Sequence, residues 1–337
     1  MPSRDLIVVG ASAGGVEALR AFVAGLPEDL DAAVAVVLHI PARGTSALST
    51  ILDRSGPLPA APARAGMALR RGRIHVAPPD HHLLVVDGVV HLSRGPTENG
   101  HRPSVDALFR SAALARGPGV VGVVLSGTLD DGAAGMVAIS ARGGLTVVQD
   151  PEEALFPGMV NAVLRHVEVD HVLPAGKMGE LLRGEVGGPV EDAGDPSELL
   201  RREAAWAANG SGAGPGEVES MGTPSSFSCP DCGGALLALD AEHNRFRCHV
   251  GHAWTAEALL EAQDAALERA LWAALRALEE QVSLSRRMRL SAEARGSHSI
   301  VERCRRAEAE AAGAADVLRA HLLDGTFTRP NPPEHAS

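Results

Sequence analysis

Three polar positions each follow an apolar run, and together they carry the residue types of nucleophilic acyl transfer. Ser12 sits in Gly10-Ala11-Ser12-Ala13-Gly14, where the run LIVVG turns toward a helical pattern; His39 ends VAVVL; Asp130 and Asp131 follow GVVGVVLS. A serine hydroxyl is a poor nucleophile until an imidazole takes its proton, and the imidazole needs a carboxylate to hold its tautomer and stabilise its charged form. The helix that begins at about Ala13 would add unpaired N–H groups and a positive dipole end where an oxyanion develops. Each residue also has a plainer reading. Ser12 can be a small residue where strand and helix pack closely, His39 a buried hydrogen-bonded imidazole, and one of Asp130 and Asp131 a cap for a helix over 132–142. His81, His82, His91, His101, His166 and His171 read as surface or structural. GASAGG also has the glycine economy of a dinucleotide turn, but Ser12 replaces the second glycine and His39 stands where a ribose-binding acid belongs.

These residues must be positioned by the elements around them. Through about residue 185 short β-branched runs alternate with helical patterns: LIVVG then 14–26, AAVAVVLHI then 44–54, RIHVAP, a helix at 104–115, GVVGVVLSG then 132–142, and GLTVVQD then 158–165. That alternation predicts an α/β fold, a three-layer doubly wound and mostly parallel sheet. HHLLVVDGVVHLS predicts two strands joined by Asp87-Gly88, giving an antiparallel hairpin edge. In such sheets ligands bind outside the carboxyl ends of the strands, where Ser12, His39 and the two aspartates fall.

In order along the chain, VVGASAGGVEAL, VVLHIP, HVAPPDHHLLV, RPSVDALFRSAA, LSGTLDDGAAGM and QDPEEALFPGM resemble the catalytic domain of the CheB-type protein-glutamate methylesterases over about 6–175. The resemblance implies hydrolysis of γ-glutamyl methyl esters on methyl-accepting chemotaxis receptors with methanol release, glutamine deamidation in some members, and no catalytic cofactor. It implies Ser12 as nucleophile, His39 as general base, Asp131 as the carboxylate orienting His39, and backbone N–H groups near Ala13 and Thr128 facing the oxyanion. The alternatives are a signalling adaptor that keeps the fold without turnover, and a dinucleotide-binding protein. Ala13 stands where Thr is usual in the family, Thr128-Leu129 where Met-Gly is, and Val160 where Pro often follows Gly-Met, differences that bear on substrate more than on the triad. Well-known members carry a preceding phospho-receiver domain. Here the first strand begins at residue 6, so control by phosphorylation within this chain is not expected.

FSCPDCGGALLALDAEHNRFRCHVGHAW contains Cys229-x-x-Cys232 followed by Gly233-Gly234, then Cys248 and His252. Three soft thiolates and an imidazole suit a closed tetrahedral site, so we expect structural zinc in a zinc-ribbon-like segment, with His249 as a competing ligand. Reduced free cysteines are the plain alternative. Cys304 reads as a small core residue.

These readings divide the chain into a catalytic domain (1–185), a flexible linker with a short helix from Ser197 through Trp206 (186–226), the ribbon-like segment (227–254), an α-helical hairpin (255–323) and a disordered tail (324–337). Leu267, Leu271, Ala274, Leu275, Leu278 and Val282 form one apolar stripe, and Ile300, Cys304, Ala307, Ala311, Ala314, Leu318 and Leu322 another, broken apart at Gly296. Such a module would dock a receptor, a methyltransferase or a second copy of the chain. A formal charge of −11 disfavours nucleic acid as a partner. The short N-terminal apolar run and the lack of any stretch of about 18 apolar residues point to a cytoplasmic protein without direct membrane insertion.

Overall fold

The computed structural model describes residues 3–191, 194–209, 222–240 and 244–323, so the expected tail and parts of the expected linker lie outside the described residues. The order is β1 (Leu6–Ala11), α1 (Gly15–Gly25), β2 (Ala33–Leu38), α2 (Leu48–Asp53), β3 (Ala60–Pro62), β4 (Ile74–Val76), β5 (His82–Val86), β6 (Val89–Ser93), α3 (Val105–Arg116), β7 (Val120–Val124), α4 (Ala133–Ala141), β8 (Leu145–Gln149), α5 (Gly158–His166), β9 (His171–Leu173) and α6 (Met178–Glu185). There follow α7 (Glu198–Asn209), β10 (Thr223–Ser228), β11 (Ala235–Asp240), β12 (Arg245–Cys248), β13 (Ala253–Thr255), α8 (Ala256–Glu293) and α9 (His298–Leu323).

A seven-stranded sheet in the order β3-β4-β2-β1-β7-β8-β9 is parallel throughout. Its central strands are Val-rich and buried on both faces because helices cover both. Ile7, Val9 and Ala11 pack with α1, α2 and α6, while Leu6 and Val8 pack with α3, α4 and α5. The strand order reverses at β1, so the crevice at the ends of β1, β2 and β7 is where a site belongs. Gly10 shapes that crevice. A Cβ there would overlap the Val105 side chain, so only glycine lets the start of α3 approach the end of β1.

The hairpin expected at the sheet edge, β5 and β6, is instead a separate two-stranded sheet. It packs on α3 and α7, which buries the apolar side of each strand without pairing to the parallel sheet. Helix α7, within the expected linker, is capped by the Ser197 hydroxyl, which accepts from Leu200 N–H at 3.2 Å. Leu200, Ala204, Trp206 and Ala207 are buried, so this stretch is part of the body; its flanking Gly, Pro and acid hide that in the composition.

Strands β10 to β13 form an antiparallel sheet. Compact packing divides the chain between Leu259 and Leu260, so this sheet belongs to the same unit as the α/β fold. In the second unit Arg286 and Arg289 both pair with Glu308, and Arg319 pairs with Glu279, the pattern of two antiparallel helices. Its buried seam contains Leu275, Ala292, Cys304, Ala311 and Ala315. Ala315 replaces the expected Ala314, and Leu267 stays 48% exposed. No helix of the described residues is long and apolar enough to cross a membrane.

Candidate active site

Ser12 follows β1 directly. Its N–H donates to Ser126 O at 2.9 Å and its carbonyl accepts from Gly15 N–H at 2.9 Å, so the turn is tied to the end of β7 and to the start of α1. Gly127 lies against it: a Cβ there would come within 2.9 Å of Ser12 Cβ and would overlap Met159. His39 follows β2, anchored by its N–H to Ala11 O at 3.2 Å. Ser12 Oγ lies 3.1 Å from His39 Nδ1, and His39 Nε2 lies 2.7 Å from Asp131 Oδ2. Because an ionised carboxylate only accepts, Nε2 must carry the imidazole proton, which leaves the Nδ1 lone pair for the serine hydroxyl.

Asp131 is buried at the N-terminus of α3. It accepts from Val105 N–H at 2.7 Å, Asp106 N–H at 3.1 Å and the Ser104 hydroxyl at 3.0 Å. Burial alone would raise its carboxyl, but the bond to His39, its charge when protonated and the Val105 N–H outweigh that and hold the group well below the usual range. Neither Asp130 nor Asp131 caps α4, contrary to the plain reading of the sequence. Asp106 does so from α3, accepting from Gly132 N–H at 3.0 Å and Gly135 N–H at 2.6 Å. Asp130 accepts instead from the Thr255 hydroxyl at 2.8 Å, and burial, opposed by that bond, pushes it up to about 7.

Among the described residues the Ala13 and Thr128 N–H groups, expected to face the oxyanion, donate to no other group, and Ala13 lines the cleft. The Ser126 hydroxyl fixes the Ala13 peptide by donating to its carbonyl at 2.8 Å, and accepts from Phe156 N–H at 3.0 Å. Ser12, Ala13, His39, Thr97, His101 and Arg102 line a cleft of about 550 Å³. His101, read from sequence as surface or structural, stacks on His39 with ring centroids 3.7 Å apart and planes 14° from parallel. Burial, with His39 adding to it, pushes His101 down to about 4, so it lies on the base as a neutral ring. Its signal in the sequence was position: it stands three residues before Ser104, the cap of α3. His82 is structural, with Nε2 2.9 Å from Pro96 O.

The sulfurs of Cys229, Cys232 and Cys248 and a ring nitrogen of His252 all lie within 4.8 Å of one another. Cys232 and Cys248 sulfurs are 3.6 Å apart, and His252 Nδ1 is 3.5 Å from Cys248 and 3.7 Å from Cys229. Four ligands about 2.3 Å from one tetrahedral ion would stand about 3.8 Å apart, so the set fits a metal and is too open for a disulfide. Gly233 N–H donates to Cys229 O at 2.8 Å, closing the knuckle. His249 is exposed outside the cluster.

A sequence model of the family described as CheB methylesterase matches residues 7–182. The protein-glutamate methylesterase/protein-glutamine glutaminase 2 of Anaeromyxobacter dehalogenans is 41% identical over 179 residues, 53% of this chain and 52% of its own. Its namesake from Methanosarcina mazei is 37% identical over 185 residues, 52% and 50% of the two chains. The chain thus spans about half the length of these relatives. The crystal structure of the Thermotoga maritima CheB methylesterase catalytic domain superimposes with a TM-score of 0.52 at 30% identity, covering 55% of this chain and all of that one.

Proposed function

Because the chain belongs to the CheB methylesterase family, we propose that it hydrolyses γ-glutamyl methyl esters on methylated chemoreceptors, and that it deamidates receptor glutamines by the same steps. The double names of the relatives support including the amide. Ser12 Oγ attacks the ester carbonyl while His39 Nδ1 takes its proton, and the Ala13 and Thr128 N–H groups receive the oxyanion. Protonated His39, held by Asp131, gives that proton to the departing methoxide, which leaves as methanol. Water then attacks the acyl-Ser12 ester with His39 as base, releasing glutamate and restoring the hydroxyl. No cofactor enters these steps.

The observation that carries this reading is the continuous bonded relay from Ser12 through His39 to Asp131, at 3.1 and 2.7 Å. A non-catalytic adaptor has no use for it, and a dinucleotide site would need Ser12 and His39 replaced. Methanol release from methylated receptor fragments tests the proposal. The parent should release it, and Ser12→Ala should be slower by roughly 10³-fold or more; equal release from both removes the hydrolase.

The spacing of Cys229, Cys232, Cys248 and His252 supports a second proposal, that they hold structural zinc, since four protein ligands leave no open position for catalysis. Purified protein should contain one zinc per chain, lost in Cys229→Ser. Metal at background level in the parent after exposure to zinc defeats this.

A further inference from the structure

We propose that the zinc ribbon is a positioning module for the esterase cleft, so that metal loading of Cys229, Cys232, Cys248 and His252 sets the reactivity of Ser12 from outside the site. The proposal rests on the reading of Ser12, His39 and Asp131 given above. The segment from Thr97 to Arg102 forms one wall of the cleft and carries His101 onto His39. Its backbone is paired to the ribbon and not to the parallel sheet: Ala253 N–H donates to Thr97 O at 3.3 Å and Asn99 N–H to Ala253 O at 2.8 Å, with Glu98 bridged parallel to Ala253.

Both halves of the metal site end on this wall. Asp231, between Cys229 and Cys232, accepts from the Thr97 hydroxyl at 2.5 Å. His252 directly precedes Ala253. Asn99 then spans the gap to the relay, accepting from Thr255 N–H at 2.9 Å and directing its amide at Asp131 Oδ1 across 3.5 Å. The Thr255 hydroxyl holds neighbouring Asp130. Beneath the wall Glu98 is buried between Arg110 of α3 and Arg247 of β12, and Arg247 also reaches Gly251 O at 2.7 Å and Glu203 of α7 at 3.3 Å. Both glutamates are essentially fully buried. Displacing the ribbon takes Arg247 from Glu98, which keeps Arg110, and takes both Arg245 and Arg247 from Glu203, so the cost falls mainly on Glu203.

A four-stranded sheet this small has little core of its own, so its fold depends on the metal. Losing the metal therefore releases β13, and with it the wall, His101 and Asn99, while Ser12, His39 and Asp131 stay on the parallel sheet. A displacement of about 1 Å at such a site costs on the order of 10² in rate.

The test uses the full chain, with the second-order rate of Ser12 phosphonylation by a fluorophosphonate as the readout and zinc content measured in parallel. Zinc-loaded protein should react and Ser12→Ala should not. Removal of zinc by a chelator should slow the reaction at least tenfold, and added zinc should restore it. Asp231→Ala keeps all four ligands and should react several-fold more slowly at full zinc content. Asp231→Asn retains an acceptor for Thr97 and should match the parent. Failure of the loaded parent to react overturns the hydrolase reading itself. Reaction at Ser12 that survives zinc removal unchanged overturns the coupling alone, as does a chain that reacts but takes up no zinc. Should chelation unfold the whole chain, the Asp231 pair decides: equal rates in Asp231→Ala and Asp231→Asn overturn the coupling.

Discussion

Asp131 serves two structures at once. One carboxylate oxygen holds His39 and Val105 N–H, the other holds the Ser104 hydroxyl and Asp106 N–H. Asp131→Asn is therefore a harsher change than loss of charge. One end of the amide must turn an N–H₂ toward donors. Facing His39 it removes the acceptor that selects the tautomer; facing Asp106 it opposes that N–H and leaves His39 a neutral amide oxygen in place of a carboxylate. The expected result is a fall in methanol release of roughly 10⁴-fold, the scale seen when a triad carboxylate is neutralised. A companion loss of about 1–2 kcal/mol in stability follows because α3 loses the anion at its N-terminus. Turnover within tenfold of the parent would show that His39 does not depend on Asp131. His101 works differently: as a neutral ring it stiffens the base by contact without placing a second cation against the imidazolium.

At the scale of elements, the relay was legible in outline because parallel strands have one chemical rule, that function gathers at their carboxyl ends, and Ser12, His39 and the pair Asp130 and Asp131 each follow such a strand. The choice of Asp131 within that pair came from the family resemblance. The convergence of Cys229, Cys232, Cys248 and His252 was legible for a similar reason, since two short spacings in the sequence each bring a pair of such side chains together. What could not be read is how elements meet. Gly10 reads in sequence as the end of a strand, yet its missing Cβ is what admits α3 and thereby the donors around Asp131. The antiparallel hairpin was visible from Asp87-Gly88 but not its partner, because periodicity says which face of a strand is apolar and nothing about what covers it. The ribbon's hold on the cleft rests on Thr97 with Asp231 and Asn99 with Thr255, pairs more than 130 residues apart whose members are ordinary polar residues in isolation. Helix α7 was found by its cap, while its burial was masked by the Gly- and Pro-rich composition on either side.

At the scale of the molecule, burial has placed proton-binding groups on both sides of neutrality, which shapes stability against pH. His75, His82 and His101 are all held below the usual imidazole value of about 6.5, mainly by burial. The unfolded chain binds the extra protons, so the stability they contribute is present above about 6.5 and is lost as pH falls below it, for His101 through about 4. Asp130 acts in the opposite sense. Its folded carboxyl keeps a proton up to about 7 that the unfolded chain releases near 4, so its contribution falls as pH rises through that window, by at most about 1.4 kcal/mol per pH unit. Asp106, raised by burial and by the charge of Asp131, pulls the same way. The two sets oppose each other between about 4 and 6.5, and above that only the carboxyls act, so the melting temperature should peak near pH 6 to 7. Asp130→Asn isolates one arm of this balance, because the amide oxygen still accepts the Thr255 hydroxyl while no charge forms. The variant should melt above the parent, by a margin that widens by several degrees between pH 5 and pH 8. Thermal unfolding of both proteins across pH 5 to 8 measures the difference, and a gap that stays constant over that range would mean that Asp130 is ionised throughout and that burial beneath the ribbon does not govern its proton.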